Sequence, residues 1–242
     1  MANNKKRAIV VGATSGIGRG LAIVLAENGY RVGITGRRTE LLDELKALHP
    51  EAFVTKPFDV SATADVERHL DELTAELGGI DLLVICAGAG HRNPSLLFEG
   101  EMLSIEVNVK GFTCVSDWGY RYFAQRGGGH LVAITSIAGV RGNYDAPAYG
   151  ASKAYNINYL QGLRWRAARE HLLLTITDIR PGWVDTALAQ GNRVFWVQPV
   201  EKSVRQIYKA IRQKRKTAYI TKRWRIIAVF MRILPDWIYN RI

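Results

Sequence analysis

The sequence predicts an α/β fold. It is a single doubly wound parallel sheet with helices on both faces, followed by a C-terminal helical extension that is both apolar and basic. Three observations predict it. Short apolar runs alternate with helix-periodic segments through residue 221, the pattern of consecutive βαβ units. A glycine-rich turn, Gly12-Ala-Thr-Ser-Gly16-Ile-Gly18, joins the first run to the first helical segment. Charge is uneven: residues 201–242 hold 12 Lys/Arg against 2 Asp/Glu, a balance of +10 within a chain of net +11.

The elements follow in order. Residues 6–11 are apolar with β-branched members and run into glycine, which predicts a buried strand. Apolar positions 17, 21, 24 and 25 predict a helix over 17–28, stopped by Gly29 in the left-handed manner. Strands are predicted at 31–35, 52–57, 82–86, 130–136, 173–179 and 218–221. Helices are predicted at 39–48, at 61–77 with Ser61 as N-cap, at about 100–126, at 149–169 and at 200–213. Gly127-Gly128-Gly129 reads as a turn. Right-handed crossovers give the doubly wound sheet. No repeat or linker interrupts 1–221, which reads as one dinucleotide-binding domain, with 222–242 as an extension.

Composition narrows the function classes. A hydrophobic content of 48% over 242 residues supports one sizeable core and excludes a disordered chain. The two cysteines, Cys86 and Cys114, form neither a C-x-x-C pair nor a zinc spacing. The apolar stretch at 8–11 is too short for a signal peptide, and no run approaches the roughly 20 residues of a spanning helix. A reducing, cytoplasmic setting is expected.

The glycine turn lets the backbone approach a pyrophosphate, with the N-terminus of a helix behind it. Its spacing is G-x-x-x-G-x-G, so the widespread G-x-G-x-x-G fingerprint is not matched. A glycine-rich turn without a ligand is the plainer alternative. Beyond the second strand stands Gly36-Arg37-Arg38, where NAD sites place an acidic residue and NADP sites place arginine. The nearest acid, Glu40, already lies in the next helix. Arg37 and Arg38 therefore favour NADP(H) over NAD(H), against the alternative of a solvated pair at a turn.

Tyr149-Gly-Ala-Ser-Lys153 is an i, i+4 pair, whose side chains share a helix face. A phenol titrates at about 10, and a neighbouring cation favours its ionised form, which makes it a usable acid or base. Taken alone, such a pair is a common surface coincidence. Ser136, ending a strand 13 residues earlier, sits where such sheets bind ligands and can hydrogen-bond a substrate carbonyl.

With Val11-Gly12-Ala13-Thr14-Ser15-Gly16-Ile17-Gly18, the Asn108-Val-Lys-Gly111 segment, Ser136, the Tyr149/Lys153 pair and Pro181-Gly-Trp-Val-Asp-Thr186, the chain resembles the short-chain dehydrogenase/reductase family over about 6–221. The resemblance implies a Rossmann-like fold and roles for particular residues. Tyr149 would protonate a carbonyl oxygen, Lys153 would hold the nicotinamide ribose, Ser136 would orient the carbonyl, and Asn108 would anchor a relay water. Gly12, Thr14, Ser15, Gly16, Ile17 and Gly18 would cradle the cofactor. Asp59 and Val60 would contact adenine. Ala87 and Gly88 would line the cofactor, and Pro181, Gly182, Val184 and Thr186 would hold the carboxamide end. Two positions depart from the family pattern. Cys86 replaces the Asn of N-A-G, and Ser15 stands where NADP-preferring relatives often carry a basic residue. The NADP expectation thus rests on Arg37 and Arg38. No metal site is expected.

Residues 224–234 predict a short apolar helix flanked by cations, broken by Pro235, with Trp224, Trp237 and Tyr239 near its ends. Three readings stay open. The helix packs on its own core or a second subunit, lies in the plane of an anionic membrane together with basic residues from 202 onward, or binds nucleic acid, for which no motif is present. The loop 187–198, with Val194-Phe-Trp-Val197, lines an apolar substrate cleft or packs as a lid. His91 and Arg92 read as a surface loop pair, and His130 and His171 merely flank strands.

The expected function is hydride transfer between NADP(H) and a carbonyl or alcohol, with an apolar or lipid-linked substrate. The alternative is a nucleotide-binding or membrane-associated protein without turnover. A homodimer or homotetramer through the helices around 100–126 and 149–169 is expected, and a peripheral position at the inner face of the membrane.

Overall fold

The computed structural model describes residues 5–187, 195–239 and 241. Seven strands form one sheet: β1 (Arg7–Val11), β2 (Arg31–Gly36), β3 (Phe53–Pro57), β4 (Leu82–Ile85), β5 (Gly128–Ile134), β6 (Leu173–Pro181) and β7 (Thr217–Ile220). Every pairing is parallel, in the order β3-β2-β1-β4-β5-β6-β7. Direction of winding reverses between β1 and β4. The carboxyl ends of the strands at that reversal are the usual ligand position of such sheets.

Helices cover both faces. The core of one face joins α3 (Thr63–Leu77), α5 (Phe112–Gln125) and α6 (Pro147–Arg169) to the sheet through Leu70, Leu73, Val115, Phe123 and Leu160. The other joins α1 (Gly16–Glu27), α2 (Thr39–Leu48) and α7 (Val200–Arg212) through Leu21, Leu25, Leu42, Leu45 and Ile207. Strand β1 feeds both: Ile9 and Val11 enter the first core, Ala8 and Val10 the second. Period-two alternation with apolar residues on both sides explains why this strand reads as an unbroken apolar run.

Several predicted boundaries shift, each for a local reason. Ser61 does not cap α3; its hydroxyl and amide both donate to Asp59 Oδ1 at 2.7 and 2.9 Å, and the helix begins at Thr63. Gly128 and Gly129 belong to β5 rather than to a turn. A side chain at Gly129 would strike the Phe123 ring at 2.0 Å, so packing selects glycine inside this strand. The long helix over 100–126 is three pieces: α4 (Phe98–Ile105), a π-helical turn over Glu106–Gly111, and α5. Helix α6 starts two residues earlier than expected, with Pro147 in its first turn, where proline's missing N–H costs nothing. Gly29, at φ +82°, ends α1 as predicted. The expected helix after β7 is α8 (Arg223–Ile233), followed past Pro235 by the single turn α9 (Asp236–Tyr239).

Candidate active site

The glycine turn joins β1 to α1 at the carboxyl end of the sheet. Gly12 (φ +89°) and Gly16 (φ +53°) occupy left-handed backbone that favours glycine. A Cβ at Gly12 would lie 2.5 Å from the Ala87 amide nitrogen, and one at Gly18 would lie 2.0 Å from the Gly12 carbonyl. The turn is thus pressed against the 86–88 segment, leaving the α1 N-terminus open. Near Gly16, Thr186 comes within van der Waals reach, its Cγ2 3.0 Å from the place a Cβ would take. The end of the Pro181–Thr186 segment therefore lies beside the phosphate loop.

At the adenosine end, Arg38 donates to Thr14 Oγ1 (2.7 Å) and Ser15 Oγ (2.9 Å). Arg37 pairs loosely with Asp59 at 3.6 Å. Burial pushes the Asp59 carboxyl up, but the Ser61 hydrogen bonds and the Arg37 guanidinium outweigh it and hold it below the usual range. Both guanidiniums stay largely in solvent, and no carboxylate ends β2. The residues present thus suit a nicotinamide dinucleotide, with two guanidiniums at its adenosine end.

At the other end, four predicted side chains converge. Asn108 lies in the π-helical turn, 1% exposed. Its Oδ1 accepts from the Ala89 amide (2.8 Å), and its Nδ2 donates to the Ala89 carbonyl (2.6 Å) and Ser152 Oγ (3.0 Å). Asn156 Nδ2 donates in turn to the Asn108 carbonyl (2.7 Å). Such widened turns recur at functional sites. Lys153 is 5% exposed, with Nζ 3.3 Å from the Ile134 carbonyl and 5.7 Å from the centre of the Tyr149 ring. Ser136 lies close enough to the Tyr149 hydroxyl to influence its titration and accepts from the Ala138 amide at 3.1 Å.

Burial governs the electrostatics. It lowers the Lys153 ammonium to about 8, with Cys86 and Asp178 pulling the other way. It raises the Tyr149 phenol, opposed by the Ser136 hydrogen bond. The sequence led us to expect the nearby cation to pull Tyr149 down. In the protein alone, desolvation is the larger effect. Cys86, in place of the family Asn, packs beside Gly18, and burial pushes its thiol up to about 12, with Lys153 pulling the other way.

Some participants were not foreseen. Ser152 and Asn156 share the Tyr149 face of α6 at positions i+3 and i+7, a periodicity that would have found them. Gly90 faces the Tyr149 ring, 2.2 Å from where a Cβ would stand. Glu101 accepts from the Ala148 amide (2.8 Å) and is held by the buried Asn93, fixing the start of α6. Of the loop pair, Arg92 bonds Asp145 at 3.0 Å, and His91 is exposed beside Gly100. His130 is buried against Thr177.

The C-terminal segment reaches this site from outside. The Trp224 indole lies so close on Gly182 that any Cβ there would fall 2.1 Å from it. Arg141, on the loop after Ser136, donates to the carbonyls of Met231 (2.8 Å) and Leu234 (2.5 Å), pairs with Asp236, and stacks on Tyr239 at 4.1 Å. One face of α8 therefore packs on its own core. The predicted loop 187–198 is closed at its base by bonds from the Asp185 amide to the Gln198 carbonyl and from the Gln198 amide to the Trp183 carbonyl, both 2.9 Å. Its residues 188–194, Val194 included, lie outside the described residues.

Comparison with known proteins agrees with this geometry. The short chain dehydrogenase family pattern matches residues 6–196. An uncharacterized oxidoreductase of Myxococcus xanthus is 36% identical, over 77% of this chain and 75% of its own. The uncharacterized oxidoreductase Rv0945 of Mycobacterium tuberculosis is 29% identical over 98% and 97% of the two chains. Among solved structures, ElxO with NADP bound superposes with a TM-score of 0.79 at 20% identity, over 89% of this chain and 97% of that one. The chain belongs to the short-chain dehydrogenase/reductase family and is an NAD(P)-dependent oxidoreductase acting on CH–OH or C=O groups.

Proposed function

We propose that this protein reduces an apolar carbonyl substrate with NADPH, with Tyr149 as proton donor. The observation that carries the reading is the meeting of Tyr149, Ser136, Lys153 and Asn108 at the carboxyl ends of β4 and β5. Gly12, Thr14, Ser15, Gly16, Ile17 and Gly18 hold the pyrophosphate, and Arg37 and Arg38 the ribose phosphate. Asp59 and Val60 flank adenine, Ala87 and Gly88 line the middle, and Pro181, Gly182, Val184 and Thr186 take the carboxamide end. Bound there, the nicotinamide supplies the hydride equivalent of the reduction.

Ser136, beside Tyr149, would donate its hydroxyl proton to the substrate carbonyl oxygen. Burial keeps the Tyr149 phenol protonated at neutral pH, which suits an acid that gives its proton to the forming alkoxide. The Lys153 ammonium then stabilises the phenolate left behind. Asn108 holds the Ala89 backbone and, through it, the segment facing Tyr149. Arginine at the end of β2 and the NADP bound in the ElxO structure support the phosphorylated coenzyme. The half-exposed Phe195 and Trp196 at the end of the substrate loop support an apolar or lipid-linked carbonyl. An enzyme at the inner face of a membrane would meet such carbonyls in the bilayer itself. Residues 1–221 form the catalytic unit on this reading, and α5 and α6 offer the surfaces for a dimer or tetramer.

The test is Tyr149→Phe, assayed for NADPH oxidation over a panel of ketones and lipid-linked carbonyls. Turnover should vanish while NADPH still quenches tryptophan fluorescence. Unchanged turnover removes Tyr149 from the acid role, and absence of turnover in the unaltered protein across the panel favours a nucleotide-binding protein without catalysis. Replacing both Arg37 and Arg38 with Glu should shift preference towards NADH; an unchanged preference refutes the NADP assignment.

A further inference from the structure

We propose that α8 docks the protein peripherally onto an anionic lipid bilayer. At 3.6 residues per turn, Trp224 and Ala228 lie on one side of α8 and are 2% and 1% exposed. Ile226, Val229, Phe230 and Ile233 fall on the opposite side and are each at least 51% exposed. Trp237, one turn further on, is 65% exposed. The spacing i, i+3, i+4, i+7 normally marks the buried stripe of an amphipathic helix; here that stripe faces outward. A contiguous exposed apolar surface of this kind marks a place where something binds.

Charge decides what binds. Arg225 and Arg232 flank one side of the stripe, and Lys222 and Arg223 stand at its start, all exposed or partly so. The single acid of the segment, Asp236, is taken by Arg141. Beside the start of α8 lies a cavity of about 520 Å³, away from the catalytic residues, whose lining includes Lys209, Arg215, Lys222 and Arg223 and no carboxylate. A second copy of this chain would meet the stripe through the same surface, pressing like cations together. A bilayer with anionic headgroups neutralises them instead, and the cavity offers a phosphate group Lys209, Arg215 and Lys222. No helix among the described residues is long and apolar enough to cross a membrane. An eleven-residue helix with a one-sided stripe and flanking arginines is built to lie in the interface.

Docking would bring the substrate side to the lipid. Phe195 packs at a tilt against Trp224 at 5.3 Å, and the Arg223 guanidinium covers Trp196 at 4.8 Å, so the end of the substrate loop, its two rings half-exposed, is anchored at the start of α8. Delivery of a bilayer-dissolved carbonyl rests on the reductase reading given above; the docking itself does not.

The experiment is co-sedimentation of the full chain with vesicles of phosphatidylcholine, alone or mixed with phosphatidylglycerol. Binding is expected to the mixed vesicles and to weaken in salt. Phe230→Ser with Ile233→Ser, and separately Arg225→Glu with Arg232→Glu, should each weaken it about tenfold or more. NADPH binding and far-ultraviolet circular dichroism verify folding; should the serine pair misfold, the glutamate pair, which removes no apolar group, decides between the outcomes. No preference for mixed vesicles overturns the proposal. So does equal binding by the folded variants, or a serine pair that halves the mass of the protein in solution, since a second copy would then own the stripe. Turnover of a water-soluble ketone, measured in parallel without vesicles, reports separately on the reductase reading.

Discussion

Helices α6 and α8 break the same rule in opposite directions. α6 buries a lysine at 5% exposure, whereas α8 turns four large apolar side chains outward. Burying an ammonium and exposing an apolar stripe both cost free energy, and neither does anything for the fold by itself. What differs is how each cost is met. Around Lys153 a polar framework is in place: the Ile134 carbonyl, the Asn108–Ala89 bonds and the hydroxyl of Tyr149 held by Ser136. Around the α8 stripe nothing among the described residues answers it. A self-contained anomaly points to chemistry, and an unanswered one points to a partner.

The comparison can be broken at four points. Lys153→Met should reduce turnover about 10³-fold, the scale of lost acid–base assistance. Urea denaturation of the apo protein should show it no less stable than the original, because an apolar group replaces a desolvated charge. A clear loss of stability would make the lysine structural. Trp224→Ala acts on the side of α8 that is answered, and should cost about 3–5 kcal/mol, read from the same denaturation curves. A smaller cost would mean that the helix is barely attached.

The third point is pH. Lys153 titrates at about 8 when folded and at roughly 10.4 when unfolded. Between those values the unfolded chain holds a proton that the folded chain does not, so the lysine's contribution to stability rises with pH across that window, by up to about 3 kcal/mol. On the proposed mechanism turnover needs the ammonium, and it should decline as pH climbs past 8. The difference in stability between the original protein and Lys153→Met, followed over pH 7–11 (roughly the span of the two titrations), isolates the effect; a flat difference would refute it. Smallest of all, Phe230→Ser in the absence of lipid should change stability by no more than about 0.5 kcal/mol. A larger loss would show that the stripe is covered in solution.

Much of this architecture is legible in the sequence, for reasons that also mark where legibility ends. Strands β1 and β4 announce themselves because both faces of the sheet are covered, leaving no polar residue within Ala8–Val11 or Leu82–Ile85. Gly36-Arg37-Arg38 and the Tyr149/Lys153 pair are legible because their chemistry is local. Ser61 misleads because two donors of one residue serve Asp59, a competition that cap statistics do not contain. Gly129 misleads because the ring filling its missing side chain comes from Phe123, in the preceding helix. The π-helical turn at Asn108 leaves no mark on hydrophobic periodicity. The tail is half legible: its apolar and basic content is plain, but Trp224 needs Gly182, and Arg141 needs carbonyls some ninety residues away.

That last separation sets a schedule for synthesis. Arg141 and its loop emerge with every proposed catalytic residue before or near them, yet their partners at Met231, Leu234 and Asp236 follow 90 to 95 positions later. At ribosomal speeds this is a wait of roughly 5–20 s. Throughout it the chain already holds Asn108 and Ser136 and soon acquires Tyr149 and Lys153, while the loop beside the serine lacks its clamp. A chain cut short within α8 would carry all the reactive groups and still lack the bonds that hold their neighbouring loop, so clipping there is a route to losing the enzyme without touching its chemistry.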